Sequence, residues 1–380
     1  MIKFCKKCIM PNTKPDLIFN EEGVCNACTN FENRKKINWD QRKKDFEEII
    51  NKYKNNDNWD CIIPVSGGKD STYQVIKILE YGLNPLCVTS STCDLSDIGR
   101  KNIDNIKKLG VDCIEVSPDP QTRKKLNQIG IKEVGDISWP EHIAIFTIPI
   151  IISVKFKIPL IIWGENSQNE YGGPLSSVEN NILDRKWLEE FGGLLGLRIS
   201  DLTDQNLINK NKILLYKYPD KEDLQKNKTT GIFLGHYFPW SGISNSILSQ
   251  VYGFSSFNKN IETAFVNYEN LDNYQTGIHD YFKYIKFGFG RATDIACLYI
   301  RREIIDRETA IKIVDKVDGN FPWTYLDKKL DLILKNIDME LNEFISICDN
   351  YTNKKLFETD DKGNLIKQIN GNLIKKFKIT

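Results

Sequence analysis

The stretch Cys61-Ile62-Ile63-Pro64-Val65-Ser66-Gly67-Gly68-Lys69-Asp70-Ser71 decides how the rest of the chain is read. Its first residues are apolar and β-branched, the signature of a buried strand. The run stops at paired glycines, and a helical pattern (Thr72, Val75, Ile76, Leu79) starts at once. A strand, a glycine turn and a helix start make an anion-binding geometry, because the first N–H groups of a helix lack internal partners and carry partial positive charge. Gly67 and Gly68 let the backbone approach a phosphate closely and take up positive φ where the turn needs it. Ser66 and Ser71 add hydroxyl donors, and Lys69 adds a flexible cation. The plainer alternative is an ordinary glycine turn between strand and helix.

A Walker A loop needs four residues between its glycines before the lysine, and this string does not have that spacing. Ser-Gly-Gly-Lys-Asp-Ser resembles instead the PP-loop of the ATP pyrophosphatases. That resemblance implies a loop gripping the β,γ-pyrophosphate of ATP. AMP is transferred to an oxygen of the substrate, and a nitrogen or sulfur nucleophile then displaces it.

At 380 residues the chain is long enough for two or three domains. Its 52 basic and 51 acidic side chains leave a formal charge of +1, which argues against an extended RNA-binding surface. The N-terminus has no apolar secretory segment. The most apolar stretch, residues 143–154, is too short to span a bilayer and contains Pro149, so it reads as a buried helical segment. Ten cysteines without a signal point to metal or thiol chemistry in a cytoplasmic protein, not to a disulfide framework.

Four of those cysteines, Cys5, Cys8, Cys25 and Cys28, form two C-x-x-C pairs separated by residues 9–24. Such spacing suits a zinc site, with each pair turning two thiolates toward one Zn²⁺. Residues 1–32 then read as a zinc ribbon that needs its metal to fold. Four thiolates leave no open position, so the ion would be structural. Free or redox-active thiols and an iron–sulfur centre are the alternatives.

Residues 33–58 read as a charged helical connector. From residue 59 strand and helix patterns alternate. Strands are expected over residues 60–65, 83–89, 111–116 and 158–163, and helices over 69–81, 96–109 and within 140–156. This order implies an α/β fold: a parallel, Rossmann-like sheet covered by helices on both faces, spanning residues 59–255. Ligands bind such sheets beyond the carboxyl ends of the strands. Residues 66–71 lie at that edge, as do Ser90 and the Gly164-Glu165-Asn166 turn. Glu165 is a candidate to hold Mg²⁺ or orient a nucleophile, and Asn166 to bind substrate or nucleotide. A helix cap is the plainer reading of both.

Residues 167–230 read as an insertion, either a lid or partner-binding region or a plain surface excursion. A further strand at 231–235 delivers His236, a candidate substrate contact or simply a packed histidine. In residues 283–294, Lys-Tyr-Ile-Lys-Phe-Gly-Phe-Gly-Arg-Ala-Thr-Asp, aromatics alternate with basic groups around two glycines. Lys286 and Arg291 are candidate substrate or phosphate ligands, with Asp294 near Arg291 at the next helix start. The region 256–380 is expected to be mainly helical, over about 294–317 and 325–347, with a terminal hairpin turning at Asn370-Gly371.

Together the paired cysteines, residues 66–71 and residues 283–294 resemble the N-acetyl sugar amidotransferase family of bacterial surface-polysaccharide and flagellin-glycan pathways. The resemblance implies conversion of a sugar N-acetyl group into an acetamidino group, in O-antigen or in pseudaminic or legionaminic acid synthesis. It implies ATP and Mg²⁺ as well as zinc, with Ser66, Gly67, Gly68, Lys69, Asp70, Ser71 and Ser90 around ATP. Lys69, Asp70, Glu165, Arg291 and Asp294 would serve catalysis, and Asn166, His236, Lys286 and Arg291 the substrate. A glutaminase and a barrel-shaped ammonia-channel subunit would be the partners, with no nucleic acid and no membrane. One alternative is a PP-loop tRNA thiolase, which would use further cysteines. Cys61, Cys87, Cys93, Cys113, Cys297 and Cys348 contain no C-x-x-C pair. A non-catalytic assembly protein that merely binds nucleotide is the third reading.

Overall fold

A computed structural model describes residues 2–55, 57–172, 193–204 and 207–379. At its centre are five parallel strands: β1 (Cys61–Pro64), β2 (Pro85–Ser90), β3 (Asp112–Val116), β4 (Leu160–Trp163) and β5 (Thr230–Phe233), in the order β3-β2-β1-β4-β5. Cys61, Ile62 and Ile63 are completely buried, as a central strand covered on both faces requires. The first crossovers build outward from β1 to β2 and β3, and the chain then returns to the other side of β1 with β4. The order therefore reverses between β1 and β4, and the crevice beyond their carboxyl ends is where such sheets bind ligands.

Helices α1 (Asn26–Arg34) and α2 (Trp39–Tyr53) precede the sheet. The side chain of Asn38 caps α2 by accepting from the Gln41 N–H at 3.1 Å, and Phe46 and Ile50 are its buried residues. Helix α3 (Lys69–Glu80) follows β1 directly, and α4 (Asp97–Lys108) follows β2 behind a Ser96 cap. Helix α5 (Pro120–Ile129), continued by a π turn over Gly130–Val134, has no counterpart in the pattern read from the sequence. Its apolar residues are too few to mark a helical stripe.

Helix α6 (Trp139–Phe156) runs for 18 residues, longer than the apolar stretch that reveals it. It is long and apolar enough to cross a membrane by length and composition only, a test that core helices also pass. Within the fold it is a core helix: 56% of it is buried, and it packs on β2 and β1.

Several other expectations need correction. The run at 231–235 is the strand β5 followed by a short helix, Leu234–Tyr237, and the helix Gly242–Val251 comes next. Residues 252–275 form no helix or strand of their own. Beyond them, Thr276–Phe287, Arg291–Arg301 and Arg307–Val317 are helices, but residues 324–329 hold a small antiparallel pair ahead of Leu330–Lys335 and Leu341–Tyr351. The terminal hairpin is present, with Lys367 paired to Leu373 and Gly371 at φ +90° in the turn. Within the expected insertion, Gly173, Pro174 and Gly192 lie outside the described residues.

The N-terminal ribbon packs against the C-terminal helices. Ile9, Met10, Ala27 and the four paired cysteines share a buried cluster with Phe289, Ala292, Ala296 and Val314. Arg307 donates to the carbonyls of Cys8 (3.0 Å) and Cys5 (3.3 Å), and Thr13 donates to Phe287 O at 2.5 Å.

Candidate active site

The site begins where β1 ends. Gly67 takes φ +84°, and a Cβ there would stand 2.7 Å from the backbone nitrogen of Ile103, so the turn accepts only glycine. Gly68 is the N-cap of α3, and no side chain caps that helix. Its first N–H groups therefore face a cavity of about 230 Å³, lined among the described residues by 66–71, Glu165, Tyr171, Tyr268, Glu269, Asp272 and Arg291. Residues 66–71 come from the end of β1 and Glu165 from the end of β4, the two strands flanking the reversal.

Lys69 is buried and pairs with Asp70 and Glu269, each at 2.7 Å. Burial opposes its charge, but the two carboxylates outweigh that and hold its pKa well above the usual lysine range. Asn245, on the helix Gly242–Val251, donates to the other oxygen of Asp70 at 2.8 Å, and Ser249 donates to Lys69 O at 2.7 Å. That helix thus fixes the loop from behind. Ser71 donates to Gly68 O at 3.1 Å, and Ser66 accepts from the Gly68 N–H at 3.3 Å. Glu165 is enclosed at the cavity wall. Burial, and then the Asp70 carboxylate, pushes it up to about 8, so it is protonated over most of the neutral range.

Arg291 reaches the same cavity from the C-terminal region. The glycines of residues 283–294 explain how. Gly288 ends the helix Thr276–Phe287 at φ +76°, and at Gly290 a side chain would collide with Asp318. Asp318 accepts from the N–H groups of Gly290 (2.8 Å), Ala292 (3.0 Å) and Thr293 (3.2 Å), and so caps the helix Arg291–Arg301. Arg291 donates to Asp280 at 3.0 Å, and Asn270, with its amide oxygen turned inward, accepts from it at 3.1 Å. Burial works against the Asp280 carboxylate, but Arg291 outweighs it and keeps Asp280 ionised below its usual range.

A second cavity of about 400 Å³ adjoins the first, sharing Tyr171 and Arg291. Its other described walls are the ribbon residues 14–16, residues 193–196 and the side chains of Lys283, Phe287, Phe289 and Asp294. Lys283 pairs with Asp294. Lys14 donates to Gly172 O at 3.0 Å, and burial lowers its pKa from the usual lysine range.

The structure brings together Ser66, Gly67, Gly68, Lys69, Asp70, Ser71, Glu165 and Arg291, and it puts Asp294 on the neighbouring cavity. Ser90 closes β2 and Asn166 is buried at the start of α7 (Ser167–Tyr171), both outside the lining of either cavity. Two further candidates stand outside the lining of both cavities. Lys286 donates to the carbonyls of Val134 and Gly135, each at 2.8 Å, and closes the π turn. His236 packs edge-on to Tyr237 and accepts from Arg42; burial, then that guanidinium, lowers it to about 4. Glu269, Tyr268 and Asp272 were not foreseen, because residues 252–275 show no periodic pattern. The acidic pair Glu269 and Asp272 is the one signal they offered.

The four paired cysteines are completely buried, and their sulfurs lie within 4.8 Å of one another. Two N–H groups point at Cys5 Sγ, from Cys8 at 3.4 Å and Cys25 at 3.2 Å. This closed, all-sulfur donor set fits structural zinc.

The fold is that of an α/β protein with a five-stranded parallel sheet, an N-terminal four-cysteine cluster and a mainly helical C-terminal region, and its switch-point loop presents an uncapped helix start to a cavity. Residues 259–370 match the family model described as "LPS biosynthesis protein WbpG-like, C-terminal domain", so this stretch is similar to that domain. No curated protein matches the chain. Among solved structures, a predicted subunit of tRNA methyltransferase from Methanocaldococcus jannaschii is 16% identical. That match covers 48% of this chain and 93% of the other, at a TM-score of 0.23, too low to bear on fold or function.

Proposed function

We propose that the chain is the synthetase component of an N-acetyl sugar amidotransferase that uses ATP to turn an acetamido group into an acetamidino group during bacterial surface-glycan synthesis. The observation that carries this reading is the meeting of two motifs at one place: the uncapped helix start of residues 66–71 and Arg291 of the WbpG-like segment line the same cavity. At about 230 Å³ that cavity is below the ~300–1,000 Å³ of ordinary ligand pockets and suits a phosphate chain. The adjoining cavity of about 400 Å³ suits the sugar.

An amide oxygen is a poor leaving group. In the proposed reaction it attacks the α-phosphorus of ATP, and the bond to pyrophosphate breaks. Ammonia then adds to the imidate carbon, AMP departs with the former carbonyl oxygen, and a proton is lost to give the amidine. The N–H groups at the start of α3, with Lys69, hold the negative charge gathering on pyrophosphate. Arg291, at the junction of the cavities, holds the phosphoryl group undergoing transfer. Glu165, when ionised, takes the proton from the attacking nitrogen. Asp70, Glu165, Glu269 and Asp272 put carboxylates on the lining of this cavity, the kind of oxygen ligand that Mg²⁺ prefers. When bound, Mg²⁺ would neutralise phosphate charge. Ammonia would come from a separate glutaminase through a channel subunit, in the cytoplasm.

No cysteine lines either cavity among the described residues, and this counts against a tRNA thiolase. The test supplies ATP, Mg²⁺ and ammonium with a panel of N-acetylated sugars, free and nucleotide-linked, and an unmodified tRNA pool in parallel. The expected result is AMP and pyrophosphate with one sugar, and a product lighter by the difference between O and NH. Turnover with tRNA alone would overturn the proposal.

A further inference from the structure

Two of the chain's three histidines converge on one buried carboxylate, apart from both cavities and from the paired cysteines. Asp136 follows the π turn, His142 lies in the first turns of α6, and His279 lies on the helix Thr276–Phe287. His279 Nδ1 is 2.8 Å from Asp136 Oδ1, and His142 Nδ1 is 3.4 Å from Oδ2. The three ligand atoms lie within 4.8 Å of one another. The Ser138 N–H, 2.9 Å from Asp136 Oδ1, fixes the carboxylate from behind.

The two imidazoles are not equivalent. His279 forms a normal hydrogen bond with Asp136. His142 Nδ1 is buried and reaches the other carboxylate oxygen only at 3.4 Å, without good hydrogen-bond geometry. A buried nitrogen so weakly paired is costly. A cation among the three groups would use its lone pair. First-row metal ions hold nitrogen and oxygen ligands at about 2.0–2.2 Å, so neighbouring ligand atoms end about 3–3.5 Å apart. The His142–Asp136 pair at 3.4 Å lies in that range, and the hydrogen-bonded His279–Asp136 pair at 2.8 Å lies just below it.

We propose that Asp136, His142 and His279 form a second metal site, for a divalent first-row transition ion such as Zn²⁺. Two imidazoles and one carboxylate suit such an ion better than Mg²⁺ or Ca²⁺, which prefer oxygen ligands. The side chains of His142 and His279 are 25% and 24% exposed, so water completes the coordination. The ion is a clamp. It ties α6 to a helix of the WbpG-like segment, the same helix whose Asp280 holds Arg291. The site stands independently of the amidotransferase reading.

The test uses the full chain, supplied with Zn²⁺ for its four cysteines, and adds Co²⁺. About one further equivalent should bind with visible d–d absorption and without a thiolate-to-cobalt charge-transfer band. H142Q and H279Q should each weaken that binding by at least about tenfold. Unchanged cysteine-bound zinc in the same samples shows that they are folded. The proposal is overturned if the wild-type chain binds no second equivalent, a result that needs no variant. It is also overturned if both variants bind that equivalent as tightly as wild type.

Discussion

Lys69 is the residue on which the site's electrostatics turn. It neutralises Asp70 and Glu269 in the free protein and is the cation available to a phosphate when one arrives. Lys69→Met should lower the rate of pyrophosphate release by at least about 100-fold, measured with saturating ammonium. Glu165 offers a separate test through stability. With its pKa raised to about 8, the folded state keeps a proton that the unfolded chain loses near pH 4.3. The stability contributed by this proton is complete below the unfolded value and is lost as pH rises toward about 8. Glu165→Gln cannot titrate, so its melting temperature should gain on wild type as pH rises across that window. A constant difference would mean that Glu165 is ionised throughout. At this scale the sequence was legible where the site is contiguous, as in residues 66–71, or follows directly from a strand, as Glu165 does. It was not legible for Glu269 or Asn245, whose roles depend on tertiary approach. Nor did it place Lys286, because alternation of aromatics and lysines does not say which ammonium meets a carbonyl.

Among the elements, strand–turn–helix units were the easiest to read, since β1, β2 and β4 are short apolar runs ending in glycine or polar turns. Helix α5 and the irregular run 252–275 were hidden for the opposite reason: neither carries a regular apolar period, and both are held by contacts made after folding. One contact shows how a distant loop is built into the site. A Cβ on Gly99, in the first turn of α4, would sit 2.7 Å from Asp272 Cα and 3.0 Å from its carbonyl oxygen, both backbone atoms. Gly99→Ala must therefore displace the loop that brings Glu269 to Lys69. A cost of about 1–3 kcal/mol in stability is expected from such overpacking, with slower pyrophosphate release and unchanged zinc content. Calorimetry together with metal analysis would check this.

Across the whole molecule, the ribbon, the sheet and the WbpG-like segment meet at the two cavities. The paired cysteines identified the ribbon from their spacing, but nothing in the sequence disclosed that residues 14–16 form a wall of the second cavity. Loss of zinc should therefore act unequally. Cys25→Ser should raise the KM for the sugar several-fold more than the KM for ATP, because the ribbon walls the sugar cavity and not the phosphate cavity. Equal effects on both would assign the ribbon a general folding role. The central claim is that the amide oxygen is adenylated and leaves with AMP. The direct measurement is mass analysis of AMP formed from a sugar whose acetyl carbonyl carries ¹⁸O, with the active N-acetylated substrate, ATP and ammonium. The account predicts ¹⁸O in the AMP phosphate and none in the amidine product. Unlabelled AMP, with the label in water or pyrophosphate, would contradict it.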